Sequence, residues 1–333
     1  MADLPSDRTE PGPPFSAVGI DVMGPWHVAS GPKTRRNSTT KKIWALLVTC
    51  MASRAVHVET LESMDTPTLM NALKRVISIR GKISMIRSDQ GTNFVGAQSQ
   101  EDCLTVLGSK QTSEAMSDLG VDWNMNPPHA SHWGGVFERK IGQIRRGMDS
   151  TMMHTKHRNL TAEELRTLLM EAAFIVNSTP LWSTNADPNE PLPITPNLLL
   201  TQKGAELHST RPFEESDLLS YGPRRWRRIQ ALADIFWKQW RDLYLMDQQK
   251  RSKWTKNISP LQEGDVVIIK DENTARAYWP LARVEKTYRS HDGVIRKADL
   301  RMARLDLNKK PRYLTRPCSQ MVRIFSENSP RAI

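Results

Sequence analysis

The chain has 333 residues, 38% hydrophobic and 25% charged, a composition that suits two or three globular domains and excludes a disordered polar chain. Its net charge of +11 is unevenly laid out: residues 1–220 hold 22 Lys/Arg against 24 Asp/Glu, whereas residues 221–333 hold 25 against 12. A basic last third beside a near-neutral body points to a polyanionic partner. The longest apolar run, near Ile43 to Ala52, is about half a bilayer span, so no membrane role is expected. The first residues, MADLPSDRTEPGPP, carry no signal-peptide pattern, and a protein that is not secreted is expected. Cys50, Cys103 and Cys318 are scattered and read as reduced intracellular thiols.

In chain order, residues 1–14 form a proline-rich lead-in, and residues 15–180 read as one α/β domain. FSAVGIDV (15–22) reads as a strand ending at a carboxylate, IWALLVTC (43–50) as a central strand, and RAVHVET (54–60) as a half-buried one. A helix follows, capped by Asp65 or Thr66, with Pro67 in its first turn and a stop at Gly81. ISMIRS (83–88) is a further strand running into Asp89, residues 97–119 are mainly helical, and VDWNMN (121–126) is one more strand. The prolines and glycines of PPHASHWGG (127–135) predict irregular chain. Helices are expected from Val136 to about Met152 and from Thr161 to Asn177.

Residues 181–223 read as a linker or irregular segment, and 224–256 as a basic amphipathic helix with Ile229, Leu232, Phe236, Trp240, Leu243 and Tyr244 on one face. Residues 257–326 alternate like strands, with turn signals at Gly264 and at 291–293. A small SH3-like β-barrel is the simplest architecture for them. The Trp237/Trp240 pair fits a helix burying its apolar face on that barrel or on a partner subunit, and Trp123, Trp133 and Trp279 read first as core, with Trp133 the best base-stacking candidate.

Three acidic residues stand where functional carboxylates tend to stand. Asp21 precedes Gly24-Pro25, Asp89 ends a strand and precedes Gly91, and Glu138 follows Gly134-Gly135 in the first turn of the expected helix. Neighbouring strand ends and a crossing helix can gather such groups, and their mutual repulsion then calls for cations. Oxygen donors suit Mg²⁺ or Mn²⁺, and two ions about 3.5–4 Å apart support in-line phosphoryl transfer. Taken singly, an aspartate after a strand reads better as a turn former, and pattern alone leaves the trio open.

The flanking text goes further. GIDVMGP (19–25), SDQGTNFVGA (88–97) and PPHASHWGGVFERKIG (127–142) resemble the catalytic core of retroviral and retrotransposon integrases, and more narrowly those of Bel/Pao-type retrotransposons. RAVHVE (54–59), residues 237–254 and WPLARV (279–284) extend the resemblance over nearly the whole chain. It implies an RNase H-like mixed sheet flanked by helices, two Mg²⁺ or Mn²⁺ ions on Asp21, Asp89 and Glu138, and a polynucleotidyl transferase that processes 3′ ends and joins them to target DNA. Double-stranded DNA and further copies of the chain would be its partners, and the nucleus its place of action, otherwise the cytoplasm.

Two features depart from the retroviral pattern. Forty-eight residues separate Asp89 from Glu138, a longer interval that resembles the Bel/Pao group, with 98–118 as the added segment. No CxxC is present, so no zinc site is expected, and the chain reads as truncated or as a fragment of a longer polyprotein. His154 and His157 are spaced like ligands but read as surface histidines of a helix.

Candidate DNA contacts are Asn93, His132, Arg139, Lys140, Arg145 and Arg146. Arg145 lies two turns past Glu138 and is placed to hold a phosphate beside the metals, with a solvated basic face as the plain alternative. His129 and His132 are placed either to touch DNA or to order their loop. An alternative for the whole chain is a catalytically silent, domesticated or truncated DNA-binding protein, and a third is a nuclease that cuts without joining.

Overall fold

The computed structural model describes residues 12–30, 40–88, 110–125, 131–155, 159–183, 193–203, 213, 215–220, 225–248, 261–303 and 310–326. The chain divides into two compact units, Met1–Asn177 with Pro212–Phe236, and Ser178–Arg211 with Trp237–Ile333.

In the first unit, β1 (Ala17–Ala29), β2 (Thr40–Cys50), β3 (Val56–Leu61), β4 (Met85–Ser88) and β5 (Asp122–Met125) form one sheet in the order β3-β2-β1-β4-β5. The β1–β2 and β2–β3 pairs are antiparallel, whereas β4 is parallel to β1 and β5 to β4. The apolar run of β2 is buried from Ala45 to Val48, as a central strand covered on both faces requires. Helices α1 (Thr66–Arg80), α2 (Lys110–Asp118), α3 (Ser131–Met153) and α4 (Ala162–Asn177) accompany the sheet.

Helix boundaries follow from capping chemistry. Asp65 accepts a hydrogen bond from the Thr68 N–H, Pro67 lies in the first turn of α1, and Gly81 ends it with φ +90°. At α4, the Thr161 N–H donates to the Glu164 carboxylate while the Thr161 hydroxyl accepts from the Glu164 N–H, a reciprocal capping box.

Two elements run further than their sequence suggests. Gly24-Pro25 reads as a stop after Asp21, yet β1 continues to Ala29, so Asp21 lies within the strand. Pairing with β4 covers only Ala17–Ile20, and the register with β2 slips between Met23 and Trp26. Pro25, which has no N–H to donate, therefore falls at the irregularity in the β2 register and beyond the stretch of β1 that pairs with β4. Gly24, with φ +109°, lets the Ile43 carbonyl come within 3.1 Å of where a Cβ would stand. The second difference is α3, which begins at Ser131 and includes Gly134 and Gly135, so Glu138 is not in its first turn. The prolines lie ahead of the helix, and each glycine costs only about 1 kcal/mol relative to alanine. The buried Ile141, Ile144 and Met148 face offsets that cost.

A polar network crosses this unit beneath α1. Glu59, 2% exposed, accepts from His57 Nε2 at 3.1 Å and from Arg75 Nε at 2.6 Å, while Arg80 Nε donates to His57 Nδ1 at 3.2 Å. The Arg80 bond to Nδ1 leaves Nε2 as the ring nitrogen that faces Glu59 with a proton. Arg75 also donates to the Thr60 carbonyl, and the Asn177 side chain exchanges two hydrogen bonds with the Val56 backbone. Burial raises the Glu59 carboxyl, but the hydrogen bonds from His57 and Arg75 and the Arg75 charge outweigh it and hold the pKa below the usual glutamate value. A depressed carboxyl contributes stability that is present above its unfolded pKa and is lost as pH falls through the folded one. The stability gap between the parent and Glu59→Gln, measured by urea denaturation, is therefore expected to be largest above about pH 4.5 and to shrink toward pH 3; a gap that ignores pH would refute the ionised pairing.

In the second unit, β8 (Val266–Ile269), β9 (Leu281–Arg289), β10 (Ile295–Met302), β11 (Tyr313–Pro317) and β12 (Met321–Phe325) form an antiparallel sheet in the order β11-β10-β9-β8-β12. Val267, Ile269, Ala282, Val284, Ala298, Leu300 and Met321 make its core. Gly264 and Gly293 take positive φ at the two expected turns. Within the stretch read as linker, β6 (Trp182–Ser183) pairs with β7 (Pro193–Ile194), and α5 (Pro196–Thr201) follows.

Helix α6 (Arg225–Gln248) gives its residues to Phe236 to the first unit and the rest to the second. Phe236 is fully buried, and its ring lies 2.9 Å from where a Cβ on Gly147 would stand. In the second unit Trp237 and Tyr244 both meet Trp279 edge-on at 4.9 Å, and Arg241 donates to the Asp271 and Glu272 carbonyls. Trp240 donates from its indole nitrogen to the Thr179 hydroxyl in the same unit. No described helix is long and apolar enough to cross a membrane.

Candidate active site

Asp21 lies on β1, the middle strand of its sheet, with its side chain 32% exposed. Its Oδ1 accepts from the Val22 N–H at 2.8 Å, and its Oδ2 accepts from Arg145 Nη2 at 2.8 Å. The same Arg145 nitrogen donates to the Val22 carbonyl at 3.0 Å. Arg145 thus holds both the side chain and the backbone of β1 from α3. Sequence reasoning gave Arg145 a phosphate; the structure gives it a carboxylate.

Glu138 is half-buried on α3, with one carboxylate oxygen shielded from solvent. It precedes Arg145 by seven residues, close to two helical turns, so both side chains leave the same face about 10 Å apart along the axis. Long helical side chains lean toward the N-terminus, which carries the Arg145 guanidinium back toward Glu138. The face that presents Glu138 is therefore the one fastened to Asp21.

The third carboxylate, Asp89, lies outside the described residues, as does Asn93. Strand β4 is described to Ser88, which is buried, pairs with Ile20 in the parallel register, and accepts a 2.8 Å hydrogen bond from Trp123 Nε1. Among the described residues no three His, Cys, Asp or Glu side chains gather as a metal cluster. The donors that are described, Asp21 and Glu138, offer only carboxylate oxygen, which fits Mg²⁺ or Mn²⁺ and not a thiolate-bound ion. The cation already seated on Asp21 shows that this carboxylate accommodates positive charge.

The remaining candidates separate by exposure. Arg139 and Arg146 are exposed on α3. Lys140 differs from its sequence reading as a DNA contact: its amine is enclosed and donates to the Arg54 carbonyl at 2.5 Å. Burial, with the nearby Arg54 charge, pushes its pKa down to about 7. The backbone of His132 is helical, not looped, and its side chain lies outside the described residues, as do those of His129, Trp133 and His157. His154 is exposed, with Nδ1 3.2 Å from the Ser150 carbonyl.

Sequence reading missed the Arg145–Asp21 pair and the Glu59 network. The only trace of the latter is the run of polar residues on the core-facing positions of VHVET.

Residues 224–324 match a family of unknown function, DUF5641. No curated protein matches the chain. Among solved structures, the chain is similar to the simian T-cell lymphotropic virus intasome in complex with the PP2A regulatory subunit B56 gamma, at 11% identity and TM-score 0.39 over 98% of this chain and 85% of that one. It is also similar to the HTLV-2 integrase catalytic core domain in complex with magnesium, at 18% identity and TM-score 0.31 over 50% and 88% of the two chains. A third is the BIV integrase catalytic core domain, at 12% identity and TM-score 0.36 over 56% and 95%.

Proposed function

We propose that the chain is a metal-dependent polynucleotidyl transferase of the integrase type, acting on double-stranded DNA, with Asp21, Asp89 and Glu138 as its metal-holding carboxylates. The observation that carries this is the meeting of β1, β4 and α3: Asp21 is tied to the helix face that bears Glu138, and β4 runs parallel to β1 up to the residue before Asp89. A mixed sheet in the order β3-β2-β1-β4-β5 supports the RNase H-like reading, and the text around each carboxylate supports the integrase reading, down to the Bel/Pao type.

Each residue then has a task. Asp21 and Asp89 hold the cations, and Glu138 completes the set from α3. Bound divalent ions would supply activation of a water or 3′-hydroxyl and stabilisation of the leaving oxygen. Arg139 and Arg146, exposed beside the site, take DNA phosphates, which position a duplex without reading its sequence. The basic second unit, as a small SH3-like barrel, adds further phosphate contacts, and joining two DNA ends in a nucleus calls for a homo-oligomer.

The test is a joining assay on duplex oligonucleotide ends with Mg²⁺ or Mn²⁺. The parent is expected to process and join, and Asp89→Asn to do neither. Cutting without joining would favour the nuclease reading. DNA binding that weakens with salt and shows no chemistry in either metal would favour the silent DNA-binding reading.

A further inference from the structure

We infer that Arg145 couples metal loading to DNA binding: without metal its guanidinium holds Asp21, and a divalent cation on Asp21 releases it to a DNA phosphate. This rests on the proposed metal-holding role of Asp21.

Arg145 is no swinging surface side chain. It is 23% exposed and grips β1 at two points, the Asp21 carboxylate and the Val22 carbonyl. Its partner is equally committed, since Oδ1 of Asp21 faces the Val22 N–H and Oδ2 faces Arg145. A cation that takes Asp21 as ligand must approach an oxygen already facing positive charge. A guanidinium and a divalent ion repel one another at that range, so occupation of Oδ2 by one opposes occupation by the other.

An arginine cannot resolve the conflict by losing its proton. Once displaced it needs another anion. Two are at hand along α3. One is Asp149, four residues further on the same helix face. The other is the duplex that the exposed Arg139 and Arg146 would hold on the same helix. The planar fork of arginine suits a phosphate, and a phosphate contact makes metal and DNA bind cooperatively. By linkage each ligand would then strengthen the other by the same factor.

The experiment uses the full chain, with Ca²⁺ as the metal in the DNA titrations. Duplex affinity is measured by fluorescence anisotropy in EDTA and in Ca²⁺, and Mn²⁺ affinity without DNA by calorimetry. The parent is expected to bind duplex about 10-fold more tightly with Ca²⁺, within the usual range of such couplings. Arg145→Gln is expected to lose that gain while binding Mn²⁺ several-fold more tightly than the parent. Arg145→Lys keeps the charge and is expected to fall between them, which separates the effect from a folding defect, as does an unchanged circular dichroism spectrum. If Arg145→Gln keeps the gain, or binds Mn²⁺ no better than the parent, the coupling is wrong. A gain that is absent in the parent, with tighter Mn²⁺ binding in Arg145→Gln, would send the released arginine to Asp149 and also overturn it. If Asp21→Asn binds Mn²⁺ as the parent does, the metal-holding reading of Asp21 fails instead.

Discussion

Replacing Asp21 with asparagine is expected to lower metal-dependent DNA joining by more than about 100-fold, because even changes to groups that only orient a metal ligand cost about 10- to 100-fold. The change is nearly isosteric. The amide oxygen can accept from only one of the Val22 N–H and Arg145, and the amide nitrogen then faces the other donor, so the Arg145 bond to the Val22 carbonyl is the part of the β1–α3 attachment that the change leaves untouched. Glu138→Gln is expected to act in the same direction from the helix side. The readout is joined product on duplex ends in Mg²⁺ and in Mn²⁺, with a thermal melt as the folding control. Joining at the parent rate by a folded Asp21→Asn protein would remove Asp21 from the chemistry.

The largest stability effect is expected in the second unit. Trp240 is 2% exposed, and its Nε1 donates to the Thr179 hydroxyl at 3.0 Å. Trp240→Ala removes the ring and leaves that buried hydroxyl without its donor, and loss of a large buried aromatic costs about 3–5 kcal/mol. Hydrogen exchange of the β8–β12 amides reads the effect in the unit concerned, which matters because a chain of two units need not unfold in one step. A loss under about 1 kcal/mol would mean that the ring is dispensable there.

Much of this architecture is legible in the sequence where local chemistry decides it. The apolar runs announce β2 and β8, Asp65 and Gly81 bracket α1, and Thr161 with Glu164 starts α4. What stays hidden is settled between distant segments. Gly24-Pro25 looks like an end, but the strand persists because its register with β2 slips at that point. Gly134-Gly135 looks like a loop, but the helix reaches back to Ser131 because its later turns bury a continuous apolar face. At the candidate site, the residue types and flanking motifs single out Asp21, Asp89 and Glu138. Nothing local tells Arg145 that its partner stands 124 positions earlier in the chain, and nothing in ERKIG says that Lys140 turns inward.

The two side chains that reach β3 carry a different implication. Among the described residues β3 is the border of its sheet, and residues 56, 58 and 60 turn their backbone groups away from β2. Asn177 occupies both groups of Val56, and Arg75 occupies the carbonyl of Thr60. A second chain trying to lengthen the sheet there would find those positions taken. Bare strand borders template aggregation, so this arrangement acts as a guard on solubility. It also steers self-assembly away from this border and toward faces built of side chains.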